Sequence, residues 1–279
     1  EPIGDRLAEF GGGVLMSATL EPMDVFRDVT GLDPLERQGR PVIERTYGLS
    51  FPAERRASFA VDAPKFTHQN RGAPGEENDT RLAYLDATVT IASRSGNVLV
   101  GTPSYAEATW MAESLRERLD KPVLLDESSG DRATESLKDD FFAGDGKVLV
   151  TSLRGTLTEG VDYRGDRLSA AVVCGVPIIN TARPRTRAVI TAYDRRFESG
   201  FETALTVPAV RKARQAVGRV IRGPEERGVR VLLDARYARE SWNSVRNYLP
   251  EHERKEYRPV SPDMLELALD RFERSAGDD

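Results

Sequence analysis

The stretch "QAVGRVIRGPEERGVRVLLDARY", residues 215–237, decides how the chain reads. Gln215, Arg219 and Arg222 are spaced by four and then three, which predicts one helix carrying all three along one face. Arg-Gly-Pro at 222–224 ends that helix, and "VRVLLD" after it reads as a short strand buried on both sides.

The same alternation recurs along the chain. Short Val/Leu-rich runs without polar alternation are strands of a parallel sheet: "GVLMSA", "NVLVGT", "KPVLLD", "KVLVTS", "SAAVVCGVP" and "VRVLLD". Amphipathic segments separate them. "PSYAEATWMAESLRERL" puts Tyr105, Ala108, Met111, Ala112, Leu115 and Leu119 at helical spacing, and Ser104 with Glu107 forms a capping box at its start. "DRATESLKDDFFAG" is a second helix, ending near Gly144. "SPDMLELALDRFERS" is a third, with Ser261 as N-cap and Pro262 at the first helical position. The polar, Pro- and Gly-rich residues 63–80 read as a mobile loop or insertion, and "SAGDD" as a frayed tail. The pattern is an α/β fold: a parallel sheet sandwiched by helices, compact from about residue 41 to the end, with residues 1–40 an appendage from a neighbouring unit.

Composition narrows the function. The chain has 279 residues, 39% hydrophobic and 30% charged, with no apolar run of membrane-spanning length. A single cysteine, Cys174, forms no internal disulfide, which points to a cytoplasmic protein; within "AAVVCGVP" it reads as a small buried hydrophobe. One cysteine and two separated histidines, His68 and His252, make no metal site. The net charge of −5 argues against a general polyanion binder, but residues 183–222 hold ten basic groups against Asp194, Glu198 and Glu202. That local excess suits a phosphate-gripping cleft on an acidic body, or a solvated helical face.

The residues that follow the strands carry the chemistry, because ligands bind at strand ends of open parallel sheets. "TSLRGTLTEGVDYRG" offers Gly155 and Gly160 for close backbone approach, and Glu159 and Asp162 as acceptors for a ribose hydroxyl. Arg154 or Thr156 is suited to a phosphate. Thr102, Ser104 and Tyr105 stand where a strand hands over to a helix N-terminus, a suitable seat for a nucleic-acid phosphate; equally, Ser104 serves as N-cap and Tyr105 packs in the core.

Together, "MSATLEP" (16–22), "VLVGTPSYAEA" (98–108), "RGTLTEGVDYRG" (154–165) and "QAVGRVIRGPEERGVRVLLDARY" (215–237) resemble motifs III to VI of the XPD/DinG-type superfamily 2 DNA helicases, over residues 12 to 240. "EGVD", "PSY" and "GRVIR…GVRVLLDARY" are wording particular to that branch. The resemblance implies a RecA-like second motor domain of a 5′–3′ DNA helicase acting on single-stranded DNA in repair. It also implies specific roles. Arg219 and Arg222 become arginine fingers on the γ-phosphate, with Gln215 on a phosphate oxygen or the attacking water. Planar guanidinium groups, always charged, are what that task requires. Glu159, Gly160 and Asp162 meet the nucleotide; Ser17, Ala18 and Thr19 couple hydrolysis to strand movement; Thr102, Ser104, Tyr105 and Arg154 meet DNA. The competing reading of Arg219 and Arg222 is salt bridging to Glu225 and Glu226.

No GxxxxGK[ST] loop and no DEAH-like box occurs; "GDGKV" at 144–148 lacks the first glycine and the hydroxyl residue. ATP and Mg²⁺ are therefore expected mainly on a first motor domain of the same polypeptide, and this chain alone is expected to be inactive. An iron–sulfur cluster would need cysteines that this chain lacks. An RNA helicase or RNA-dependent ATPase on the same scaffold, and a degenerate RecA-like docking module, are the rival readings.

Overall fold

The structure is a computed structural model that describes residues 2–17, 20–47, 51–73, 76, 78–127, 131–144, 146–155, 157 and 168–275. Seven strands form one sheet: β1 (Arg56–Val61), β2 (Val98–Thr102), β3 (Val123–Leu125), β4 (Val148–Ser152), β5 (Ala170–Cys174), β6 (Gly228–Leu233) and β7 (Arg258–Val260). Their order is β3-β4-β2-β5-β6-β1-β7, and every pairing is parallel. The helices in chain order are α1 (Pro2–Ala8), α2 (Met23–Thr30), α3 (Leu32–Arg37), α4 (His68–Arg71), α5 (Asp79–Ala92), α6 (Tyr105–Arg118), α7 (Asp131–Phe142), α8 (Pro184–Phe197), α9 (Val207–Val217), α10 (Ala235–Ala238), α11 (Glu251–Glu256) and α12 (Leu265–Arg274).

The chain divides into two compact units: residues 1–49 with 181–205, and residues 50–180 with 206–279. The second unit holds the sheet. Strand alternation splits its core in two. Val98, Val100 and Val148 face one way, onto Tyr84 and Ile91 of α5, Met111 and Leu115 of α6, and Leu265 and Leu269 of α12. Leu99, Leu149 and Leu232 face the other way, onto Phe141 of α7 and Val210, Ala213 and Val217 of α9. Helices on both faces explain why β2, β4 and β5 are buried throughout.

In the first unit, Arg27 of α2 gathers Asp33, Glu36 and Glu44, and Arg196 of α8 pairs with Asp28. Of the ten basic residues counted over 183–222, five fall in each unit, so they are not one helical face.

Several expectations change. "GVLMSA" forms no strand among its described residues; Val14, Leu15 and Met16 are exposed. A doubly buried strand needs neighbours on either side, and none is paired with this run. β1 and β7 escaped the sequence reading: β1 carries Arg56 and Ser58, and β7 is three residues long with Pro259 in its middle. Residues 63–80 are more than a loop, since they include α4 and the buried Phe66, stacked on Tyr84 with ring centroids 4.3 Å apart. Ser261 makes no side-chain cap; a 3₁₀ turn at Pro262–Met264 precedes α12.

The largest change concerns residues 215–237. α9 ends at Val217 with Gly218 as its cap, so Arg219 lies past the helix and Arg222 in the following loop. The Arg219 and Val220 amides donate to the carbonyls of Ala216 and Val217, tightening the chain out of α geometry. The one-face prediction fails because the 3.6 period stops before the two arginines begin.

Candidate functional site

The predicted residues that are described in the sheet-bearing unit fall at opposite ends of its strands. At the C-terminal edge, β2 hands over to α6 and β4 to residues 153–155. Ser104 caps α6 by accepting from the Glu107 amide at 3.4 Å. Thr102 is buried, its hydroxyl donating to the carbonyls of Ser104 (3.0 Å) and Thr151 (3.2 Å), so it shapes the turn. Tyr105 is half-buried rather than a core residue, and Arg154 is exposed. A Cβ on Gly155 would stand 2.9 Å from both the Tyr105 hydroxyl and the Asp126 carboxylate, so only glycine fits there without displacement. Asp126, buried at the end of β3, accepts from Thr151 Oγ1 at 2.7 Å. Ser104, Tyr105, Asp126, Arg154 and Gly155 therefore gather at the ends of three adjacent strands.

The capping box is half formed. Glu107 turns its carboxylate away from Ser104 and is fully buried against Arg81, with bonds of 2.8 and 3.2 Å, and against Arg71 at 2.9 Å. Arg81 also donates to the carbonyls of Arg71 and Ala73, and its guanidinium lies 4.6 Å from the Trp110 ring. Arg71, Ala73 and Arg81 are thereby tied to the helix that follows β2.

A second buried acid, Asp234, ends β6. Its carboxylate accepts from Arg236 Nε (2.8 Å), Nη2 (2.7 Å) and backbone N (3.0 Å), from the Phe66 amide (3.0 Å) and from the Tyr84 hydroxyl (3.3 Å). Burial works against the charge on Arg236, and the Asp234 carboxylate more than offsets it, leaving that guanidinium more firmly protonated than usual. Burial, reinforced by Asp234, pushes the Tyr84 phenol well up. "DARY" is thus a structural clasp joining β6, α5 and the chain after β1. Asp126 and Asp234 both escaped the sequence reading; the signal that could have found them is a charge placed directly after an apolar strand run, in "KPVLLD" and "VRVLLD".

The N-terminal edge carries the turn from α9 to β6. Gln215 lies in the last turn of α9; Arg219 is buried, at 7% exposure, and Arg222 is exposed. The Glu226 carboxylate accepts from the amides of Arg222 and Gly223 and so shapes the turn, while Glu225 meets Arg55 at 3.2 Å. Gly228 is packed so tightly that a Cβ would sit 2.2 Å from Val220 and 2.8 Å from the Ser169 carbonyl. Val229 donates to that carbonyl at 2.9 Å. The start of β5 is therefore beside the arginine turn. Gly155 stands after β4 at the C-terminal edge and Ser169 before β5 at the N-terminal edge, so the segment between them in sequence joins the two. Glu159, Gly160 and Asp162 belong to that segment, and with Ala18 and Thr19 they lie outside the described residues. Ser17 is exposed, in a stretch of the first unit without regular secondary structure.

Lys147 of the "GDGKV" sequence pairs with Asp140 at 2.7 Å. Cys174 is buried in β5, where burial, partly offset by a bond to Thr88, pushes its thiol up to about 12. One cysteine in a strand core does not fit a four-thiolate iron–sulfur cluster.

Residues 88–255 match the family model described as "Helicase C-terminal domain". The chain belongs to that family. Within it the chain is of the XPD/DinG type. It is 29% identical over 175 residues to the XPD helicase subunit of general transcription and DNA repair factor IIH from Dictyostelium discoideum, covering 62% of this chain and 20% of that one. ATP-dependent helicase DinG of Mycobacterium tuberculosis is 32% identical over 168 residues, 59% of this chain and 24% of its own. ATP-dependent DNA helicase YoaA of Escherichia coli is 30% identical over 226 residues, 81% and 33% respectively. This helicase domain thus spans a fifth to a third of these relatives. A solved XPD helicase shares the fold, with a TM-score of 0.59 at 19% identity, covering 89% of this chain and 42% of that one. No helix among the described residues is long and apolar enough to cross a membrane.

Proposed function

We propose that this helicase domain is the second motor half of an ATP-dependent DNA helicase that moves 5′ to 3′ on single-stranded DNA in repair or related processing in the cytoplasm. In this reading the two sheet edges divide the work. Ser104, Tyr105 and Arg154 at the C-terminal edge take the strand, mainly through phosphates and with little sequence preference; Thr102 holds their turn. Arg219 and Arg222 at the N-terminal edge are arginine fingers, with Gln215 beside them, and Glu159, Gly160 and Asp162 meet the nucleotide.

The observation that supports this reading is where the two ends of the segment between β4 and β5 stand: Gly155 lies beside Tyr105 and Asp126, and Ser169 lies against Gly228, which follows the arginine turn. A displacement at either edge thus has a short covalent route to the other. ATP and Mg²⁺ would be held mainly by a first motor domain of the same polypeptide, and ATP would supply the phosphoryl group whose developing charge the arginines offset. Residues 1–40 would be the motif III segment and linker of that first domain, with Ser17, Ala18 and Thr19 coupling the two halves. The exposed Val14, Leu15 and Met16 suit a strand completed by that domain's sheet.

The test joins this chain to the first motor domain and measures ATP hydrolysis with single-stranded DNA or RNA. Arg219→Ala and Arg222→Ala are each expected to lower the DNA-stimulated rate by on the order of a thousandfold. Unchanged hydrolysis in both would sink the finger assignment and favour a docking module; stimulation by RNA alone would move the substrate to RNA.

A further inference from the structure

We propose that Trp242 is a stacking platform for a base of the single strand, with Lys65 and a cation-lined cleft, lined in part by residues flanking the same turn in sequence, receiving the neighbouring phosphates. The inference rests on the nucleic-acid reading above and extends it to residues that none of the four motifs contains.

Trp242 is 96% exposed, although it stands on a well-built turn. Ser244 donates through its amide to the Ser241 carbonyl (2.9 Å) and through its hydroxyl to the Arg236 carbonyl (3.1 Å). Val245 is buried and donates to the same Arg236 carbonyl at 2.9 Å. Arg246 then grips the carbonyls of Tyr237 (3.2 Å) and Arg254 (2.6 Å). The indole is thus held out into solvent by an ordered turn, so little further order is lost when a flat ligand covers it.

The position suits a nucleic acid. β1 and β6 are adjacent and in register through Val61 and Leu233. The chain after β1 carries Lys65, whose ammonium lies 6.0 Å from the Trp242 ring centroid, and the chain after β6 carries Trp242 itself. Both follow C-terminal strand ends, on the edge that also bears Ser104 and Arg154. β4 and β1 are four strand spacings apart, roughly 19 Å, so one extended strand lying along the edge would meet them all.

Glu240 and Arg246, which flank the turn in sequence, help to line a cleft of about 430 Å³ with Arg254, Lys255, Arg258 and Glu251. Lys255 pairs with Glu251, but Arg254 Nε is buried in the structure without an acceptor. The exposed Lys255 and Arg258 are the cations that a backbone phosphate would meet there. Glu240, Ser241, Asn243 and Ser244 surround the indole in sequence; a protein hot spot would instead be expected within an apolar patch. An aromatic face among polar residues, with Lys65 beside it and a cleft holding further cations lined by residues that flank its turn in sequence, matches the stacking-plus-phosphate scheme of single-strand binders.

The experiment titrates the 279-residue chain with fluorescein-labelled oligothymidylate, following anisotropy and tryptophan emission together. Trp110 is half-buried beneath Arg81, so stacking should quench the emission of Trp242. Trp242→Ala should weaken binding about tenfold and abolish the quench without changing the thermal melt, while Trp242→Phe keeps most of the affinity. Lys65→Gln should lower the slope of log affinity against log salt by about 0.7. Undiminished binding by Trp242→Ala, with wild-type emission unmoved by DNA, overturns the proposal, leaves the helicase reading intact and makes this turn a candidate for protein docking. Failure of the wild-type chain to bind either DNA or RNA overturns the nucleic-acid reading, and this inference with it.

Discussion

Replacing Asp234 with alanine should be among the most damaging single changes in the helicase domain. The carboxylate is wholly buried and takes five hydrogen bonds, two of them from the Arg236 side chain. Removing it leaves a guanidinium in the interior without its counter-ion, and breaking a buried pair from one side costs about 3–5 kcal/mol. The Phe66 amide and Tyr84 hydroxyl also lose their acceptor. Against a total stability of about 5–15 kcal/mol for a typical domain, that is a large fraction. Urea unfolding followed by circular dichroism measures the loss directly. Asp234→Asn keeps the shape and one acceptor oxygen, so it should fall between wild type and alanine. Combining Asp234→Ala with Arg236→Met should cost less than Asp234→Ala alone, because the stranded charge is gone. A loss below about 1 kcal/mol for Asp234→Ala, or a double variant no better than the single, would refute the clasp.

Other consequences follow from particular contacts. Glu256 lies between Arg230, Arg56 and Ser58; burial alone would raise its carboxyl, but the two guanidinium groups hold it below the usual range. A depressed folded value stabilises above the unfolded carboxylate pKa of roughly 4.3, and this contribution is lost as pH falls through the folded value. Glu256→Gln should therefore flatten the fall in urea midpoint between neutral pH and pH 3, and an unchanged profile would remove Glu256 from the acid response. The Cys174 thiol, buried and raised to about 12, should resist maleimide at pH 8 and react only on unfolding, as mass spectrometry would report; rapid labelling of the folded chain would contradict the β5 core. Gly228→Ala forces a methyl onto Val220 and the Ser169 carbonyl, and overpacking of this kind costs about 1–3 kcal/mol in urea unfolding. A neutral Gly228→Ala would mean that the arginine turn and the start of β5 are not in close contact.

How much of this was legible in the sequence depended on whether the signal was local. β2, β3, β4, β5 and β6 were readable because each is a short, largely apolar run, as strands covered by helices on both faces tend to be. β1 was not, because Arg56 and Ser58 look like surface residues until Glu256, 198 to 200 positions away, is brought beside them. Glu107 failed as half of a capping box for the same reason: the local partner Ser104 lost to Arg81 and Arg71, and no sequence window contains that competition. Arg219 and Arg222 show the reverse case. Their shared helical face was wrong, since α9 stops at Val217, yet their proximity to the segment before β5 does not depend on helical phase. It depends on β6 following at once and lying beside β5, a neighbourhood fixed by topology. The part of a motif that survived folding was therefore residue identity and order along the chain, while side-chain direction had to wait for the sheet.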